Sequence, residues 1–128
     1  MTLVLFKGKP GDLIEIFRKA FQHWAIYIGK NEVVHFVLDG GLSTGLSASL
    51  SSTGKVLREK LTDVVGNDRY KVNNHLDKRR KARDPSIIVK EACAMVGHEL
   101  KYSIATFNCE HFATKMRYGV GVSQQVCI

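Results

Sequence analysis

Two apolar runs on either side of Gly29-Lys30-Asn31 do most to restrict how this chain can fold. His23-Trp24-Ala25-Ile26-Tyr27-Ile28 precedes the tripeptide and Val33-Val34-His35-Phe36-Val37 follows it. β-Branched and aromatic side chains favour pleated, half-buried backbone, and a Gly/Asn turn between two such runs predicts an antiparallel hairpin. His23 and His35 are equally spaced from Gly29. The hairpin therefore sets them roughly opposite each other, within reach on one face. Upstream, Leu13-Ile14-Glu15-Ile16-Phe17-Arg18 follows the turn signal Pro10-Gly11-Asp12 and predicts another strand.

Beyond the hairpin the pattern changes. Residues 40–54 are rich in Gly, Ser and Thr and read as a mobile surface loop, either a lid or a plain linker. Lys55 to Val65 and Arg69 to Val72 read as one or two further strands joined by the turn Gly66-Asn67-Asp68. The run Lys78-Arg79-Arg80-Lys81-Ala82-Arg83 is basic enough to meet an anionic lipid surface, and equally suits a solvated loop. Asp84-Pro85 opens a helix, in which Ile88, Val89, Ala92, Met95 and Val96 recur at helical spacing until Gly97 stops it. Cys93 falls on the apolar stripe of that helix and reads as a small buried hydrophobe.

The last element begins at Asn108, a favoured N-cap, and runs from Cys109 to Tyr118 before Gly119 ends it. Cys109 thus takes the first helical position. There the backbone N–H groups are unpaired and the helix dipole is positive, which favours a thiolate and can also stabilise an oxyanion at the backbone of Cys109. Glu110 complements the dipole as a capping charge. A cysteine nucleophile needs a base, and the chain holds five histidines. His111, two residues along the helix, points away from the sulfur. His75 falls in a polar loop and His98 follows a helix stop. His23 and His35 remain, one to take the thiol proton and one to orient its partner, with either order open on these grounds.

Composition narrows the function. The net charge of +7 and pI near 9.5 predict anionic partners without choosing among membrane, nucleic acid and acidic protein. The basic run lacks interleaved aromatic residues, so a nucleic-acid role is not expected. Three cysteines, Cys93, Cys109 and Cys127, form no CxxC pair, which argues against a disulfide framework and suits a reducing, cytoplasmic compartment. A metal site built from His23, His35, Cys109 and His111 would need ligands that diverge along a helix, so no metal is expected. At 128 residues the chain has the size of a single domain, and it contains no apolar stretch long enough to span a bilayer.

Taken together, Gly11-Asp12-Leu13-Ile14-Glu15-Ile16, His23 to Gly29, Val33-Val34-His35, Val72-Asn73-Asn74, Asn108 to Phe112 and Arg117-Tyr118-Gly119 resemble the phospholipase A and acyltransferase branch of the lecithin:retinol acyltransferase-like family. The blocks occur in family order, from about Pro10 to Gly119. The resemblance implies an α+β fold, an antiparallel sheet with a few helices related to permuted papain-like enzymes. It implies Cys109 as nucleophile, His23 as general base and acid, and His35 as the residue that orients His23. It also implies a calcium-independent, cofactor-free phospholipase A1/A2 and acyltransferase. Such an enzyme would act on phosphatidylcholine and phosphatidylethanolamine through a cysteine acyl-thioester, passing the acyl group to water, a lysophospholipid or the phosphatidylethanolamine amine.

The chain departs from the family in two places. Phe36-Val37-Leu38-Asp39 replaces a leucine-alanine-proline-proline segment common after the second histidine. Many members carry a membrane-spanning helix after the position of Gly119, and this sequence ends about nine residues beyond it. Either the sequence is cut short of such a helix, or the protein is cytoplasmic and held peripherally on intracellular membranes, with Lys78, Arg79, Arg80, Lys81 and Arg83 as the expected contact. The competing reading is a basic membrane or protein adaptor with a vestigial triad.

Overall fold

A computed structural model of the chain describes residues 6–19, 21–38, 51–103 and 107–123, apart from the side chains of residues 51 and 52. Among the described residues there are six strands, β1 (Leu13–Phe17), β2 (Gln22–Gly29), β3 (Glu32–Leu38), β4 (Ser51–Lys60), β5 (Arg69–Val72) and β6 (Glu99–Ser103), and three helices, α1 (Leu61–Val65) between β4 and β5, α2 (Pro85–Met95) between β5 and β6, and α3 (Cys109–Tyr118) after β6. The strands form one antiparallel sheet in the order β5-β1-β2-β3-β4-β6. This is the α+β architecture that the sequence predicts.

The hairpin closes through Lys30 and Asn31, whose positive φ values of 53° and 62° give the mirror-image turn that matches the strand twist. Gly29, at φ 100°, absorbs a register shift between Tyr27 and Gly29, a conformation that side-chain-bearing residues rarely adopt. The apolar runs of β2 and β3 are nearly continuous because both sheet faces are covered. On one face Leu13, Trp24, Ile26, Val34, Phe36 and Val56 pack against Ile88 and Ala92 of α2 and Phe112, Ala113 and Met116 of α3. On the other, Ile14, Ile16, Ala25, Tyr27 and Val33 pack against Leu61, Val64 and Val65 of α1.

The structure corrects the sequence reading in three places. Leu61 to Val65 is a helical turn, and its buried residues Leu61, Val64 and Val65 recur at helical rather than strand spacing. Ser51 to Gly54, expected to end the surface loop, instead begins β4; residues 39–50, which hold the rest of that expectation, lie outside the described residues. Glu99–Ser103, assigned to no element from sequence, is an edge strand paired with β4. It contains no β-branched residue, so its sequence marks it only weakly.

Candidate active site

The pairs Ile26–Val34 and Tyr27–Val33 set the register between β2 and β3. Continued toward the open end, this register puts Ala25 beside His35 and His23 beside Val37. The histidines therefore share a face on a diagonal rather than standing directly opposite. That offset brings the rings edge to face, 5.0 Å between centroids at 74°, with His23 Nε2 2.7 Å from His35 Nδ1. Both are buried, at 7% and 3% exposure.

A third residue joins them from β4. His35 lies opposite Leu57, so Glu59, two residues further on, shares its face, and its Oε2 is 2.6 Å from His35 Nε2. The Glu59 side chain is 43% exposed, so the chain of hydrogen bonds runs from the interior to solvent. A carboxylate only accepts, so His35 Nε2 donates to Glu59. Neutral His35 then accepts at Nδ1, and His23 donates from Nε2. This leaves the lone pair of neutral His23 on Nδ1. Burial, then the neighbouring His35 and Arg18, hold His23 well below the usual histidine range. Burial also lowers His35, against the opposing pull of Glu59. Both rings are therefore neutral near pH 7, as a general base requires.

Cys109 lies at the first position of α3 and is 2% exposed. Its Sγ is 4.0 Å from the Gln22 carbonyl oxygen, at the residue before His23. Strand alternation directs His23 to the Ile16 side of β2, whereas Cys109 belongs to the core on the Trp24 side. The thiol and the histidine pair thus flank the first residues of β2. Asn108 fixes the helix end: its Oδ1 accepts from the N–H groups of Glu110 and His111 at 2.9 and 3.1 Å. His111 Nδ1 accepts from the Asn108 N–H at 3.1 Å. This reciprocal cap gives His111 a structural role.

Two residues near the nucleophile escaped the sequence reading. Tyr102 of β6 stacks on Phe36 at 5.0 Å, and its hydroxyl hydrogen-bonds with both the side chain and the backbone of Cys109. Burial first, and then the nearby Cys109, whose thiolate form would repel a phenolate, raise Tyr102 above the usual tyrosine range, so it stays a protonated donor. The signal available in the sequence was the strand alternation that puts Leu100 and Tyr102 on one face. His75 does not sit in a solvated loop. Its ring lies tilted against Trp24, 4.7 Å between centroids, and its Nε2 is 3.2 Å from Glu110 Oε2. Glu110 is 1% exposed and accepts from Ser123 Oγ at 3.1 Å.

The remaining expectations separate. Lys78, Arg79, Arg80 and Lys81 are exposed. Arg83 turns inward: its Nε and Nη2 donate to the Met116 carbonyl at 3.0 and 2.7 Å, and Nη2 pairs with Glu91 at 2.8 Å. It therefore holds the C-terminal end of α3. The Val72-Asn73-Asn74 block also proves structural, since Asn74 Oδ1 accepts from the Leu13 N–H at 2.8 Å and Asn73 Nδ2 donates to Glu15 at 2.9 Å. Cys93 is half-buried against the core, and Cys127 lies outside the described residues. Among the described residues, no group of three or more His, Cys, Asp or Glu side chains could hold a metal ion, and no helix is long and apolar enough to cross a membrane.

Two strand histidines precede a helix-borne cysteine in the chain, all three at the first residues of β2 or their immediate neighbours. The profile of the family described as Lecithin retinol acyltransferase matches residues 7–122. The chain belongs to that family. Among curated members, human Phospholipase A and acyltransferase 4 is 47% identical over 92% of this chain and 74% of its own length. Human Phospholipase A and acyltransferase 2 is 44% identical over 98% of this chain and 80% of its own length. Human Phospholipase A and acyltransferase 3 is 43% identical over 92% and 75%. The match to the Lecithin retinol acyltransferase family takes in every strand and helix described above.

Proposed function

We propose that this chain is a thiol-dependent phospholipase A and acyltransferase, with Cys109 as nucleophile, His23 as base and His35 as the residue that orients it. The observation that carries this reading is the relay from Glu59 through His35 to His23. It sets the His23 lone pair on Nδ1, the nitrogen not committed to His35, at the strand end that Cys109 approaches. The names of the relatives supply the substrate class.

In the proposed reaction His23 Nδ1 takes the Cys109 proton, and the thiolate attacks an ester carbonyl carbon of a glycerophospholipid. The negative charge that moves to the carbonyl oxygen is met by the Cys109 N–H and the Tyr102 hydroxyl. When the tetrahedral adduct collapses, the C–O ester bond breaks and His23 returns its proton to the departing lysophospholipid oxygen. The acyl group is left on sulfur. Water, a lysophospholipid hydroxyl or the amine of phosphatidylethanolamine then attacks the thioester, with His23 taking the incoming proton and returning it to sulfur.

The test is a product assay on mixed phosphatidylcholine and phosphatidylethanolamine vesicles. The wild type should release lysophospholipid with free fatty acid or N-acylated phosphatidylethanolamine, and Cys109→Ala should release none. Equal turnover by the two proteins would reject the proposal.

A further inference from the structure

We infer that the protein meets an anionic lipid surface through the β5–β1 edge of its sheet, beside the nucleophile, and not mainly through the Lys78–Lys81 run. This inference rests on the phospholipase reading above for its substrate. Cys109 is nearly fully buried, so an acyl chain must come from a surface close to it. Arg83 N–H donates to the Arg117 carbonyl, which ties the basic loop to the C-terminal end of α3. Cys109 is at the other end, about 15 Å away along a ten-residue helix.

At the Cys109 end the composition differs. Phe17 lies opposite Gln22 on β2 and opposite Arg69 on β5, while Glu15 lies opposite both Trp24 and Lys71. Directly opposed residues share a face, so Phe17, Arg69 and Lys71 lie on the side of the sheet that carries α3. Gln22 belongs to the same set, and its carbonyl is the group 4.0 Å from Cys109 Sγ. The Arg69 guanidinium and the Lys71 ammonium each stand 5.8 Å from the centre of the Phe17 ring, and both residues are exposed.

Lys19, in the adjoining turn, is exposed as well. Asp68 is paired with Arg18 at 2.7 Å, and Glu15, held by the neutral Asn73 amide at 2.9 Å, is a single negative charge against Arg69, Lys71 and Lys19, so the patch keeps an excess of positive charge. Cations on an edge strand can also serve to prevent edge-to-edge pairing. These two lean over an aromatic ring on the sheet face instead, and an aromatic ring flanked by cations suits the headgroup layer of a bilayer.

The experiment uses the catalytically silent Cys109→Ala protein, so that vesicle binding is read whether or not lipid is turned over. Sedimentation with phosphatidylcholine vesicles containing phosphatidylserine compares Arg69→Gln/Lys71→Gln with Lys78→Gln/Arg79→Gln in that background. Removing two cations from a docked surface lowers partitioning roughly thirtyfold. That loss is expected for the edge pair, and a loss of less than about threefold for the loop pair. An equal or greater loss for the loop pair, or none for either, would overturn the inference. So would tighter binding to a DNA oligonucleotide than to the vesicles with the same dependence on Arg69 and Lys71, which would make the patch a nucleic-acid surface. Failure of the phospholipase reading appears separately, as absence of turnover by the wild type.

Discussion

Replacing Glu59 tests the relay without touching the nucleophile or the base. Leu at this position removes the only group in the relay that cannot donate a proton. His35 can then adopt either neutral tautomer, and the His23–His35 hydrogen bond survives in both with its direction reversed. In one of them His23 carries its proton on Nδ1 and cannot accept from the thiol. Near-equal populations cost about twofold in competent enzyme. The second contribution is electrostatic. A charge-assisted hydrogen bond is worth about 1.5–3 kcal/mol, and the 43% exposure of Glu59 places it near or below the lower end, at about 1.4 kcal/mol or tenfold in rate as His23 becomes imidazolium. The product is about twentyfold in kcat for Glu59→Leu, within the ten- to hundredfold range typical of residues that orient a reacting group. Glu59→Gln keeps an acceptor and loses only the charge, giving about tenfold. The assay is turnover of phosphatidylcholine across pH. KM should stay near its wild-type value, and the acid limb should move to lower pH, because removing the carboxylate makes the histidines harder to protonate. Wild-type kcat and an unmoved acid limb in Glu59→Leu would refute the reasoning.

Three further outcomes follow from the same geometry. His23 is held well below its ordinary pKa mainly by burial, and His35 is also lowered. The unfolded chain therefore takes up protons first as pH falls through about 6.5, and thermal stability should decline in that window; scanning calorimetry at several pH values checks this, and a flat profile would contradict it. Tyr102→Phe removes the proposed oxyanion donor and should lower kcat about a hundredfold with little change in KM, whereas a change confined to KM would assign Tyr102 to substrate binding. Arg117 donates to the Gly11 carbonyl at 2.8 Å and pairs with Asp77 at 2.9 Å, so Arg117→Ala should cost about 2–3 kcal/mol in denaturant unfolding, and a loss under about 0.5 kcal/mol would show that solvent satisfies those partners.

What could be read from sequence was whatever repeats along the chain. The hairpin announced itself through two apolar runs and a Gly/Asn turn, and α3 through its Asn cap and Gly stop, so His23, His35 and Cys109 were visible together with the elements that carry them. Glu59 was hidden because Arg58-Glu59-Lys60 looks like a solvated strand end. Only the β3–β4 register shows that it shares a face with His35. Tyr102 was hidden because β6 is short and has no β-branched residue, so its alternation of Leu100 and Tyr102 is a weak signal. His75 was misread because its partner Glu110 is far away in sequence and its burial comes from tertiary packing alone. The helix at Leu61–Val65 was lost because one helical turn and a short strand bury similar numbers of apolar residues.

The central claim is that Cys109 carries the acyl group. Brief exposure of the protein to phosphatidylcholine, acid quenching and peptide mass spectrometry read this directly. The account predicts an acyl mass on the peptide containing Cys109, removed by neutral hydroxylamine and absent from His23→Ala. Lipid turnover with no such adduct, or an adduct confined to Cys93, would contradict it.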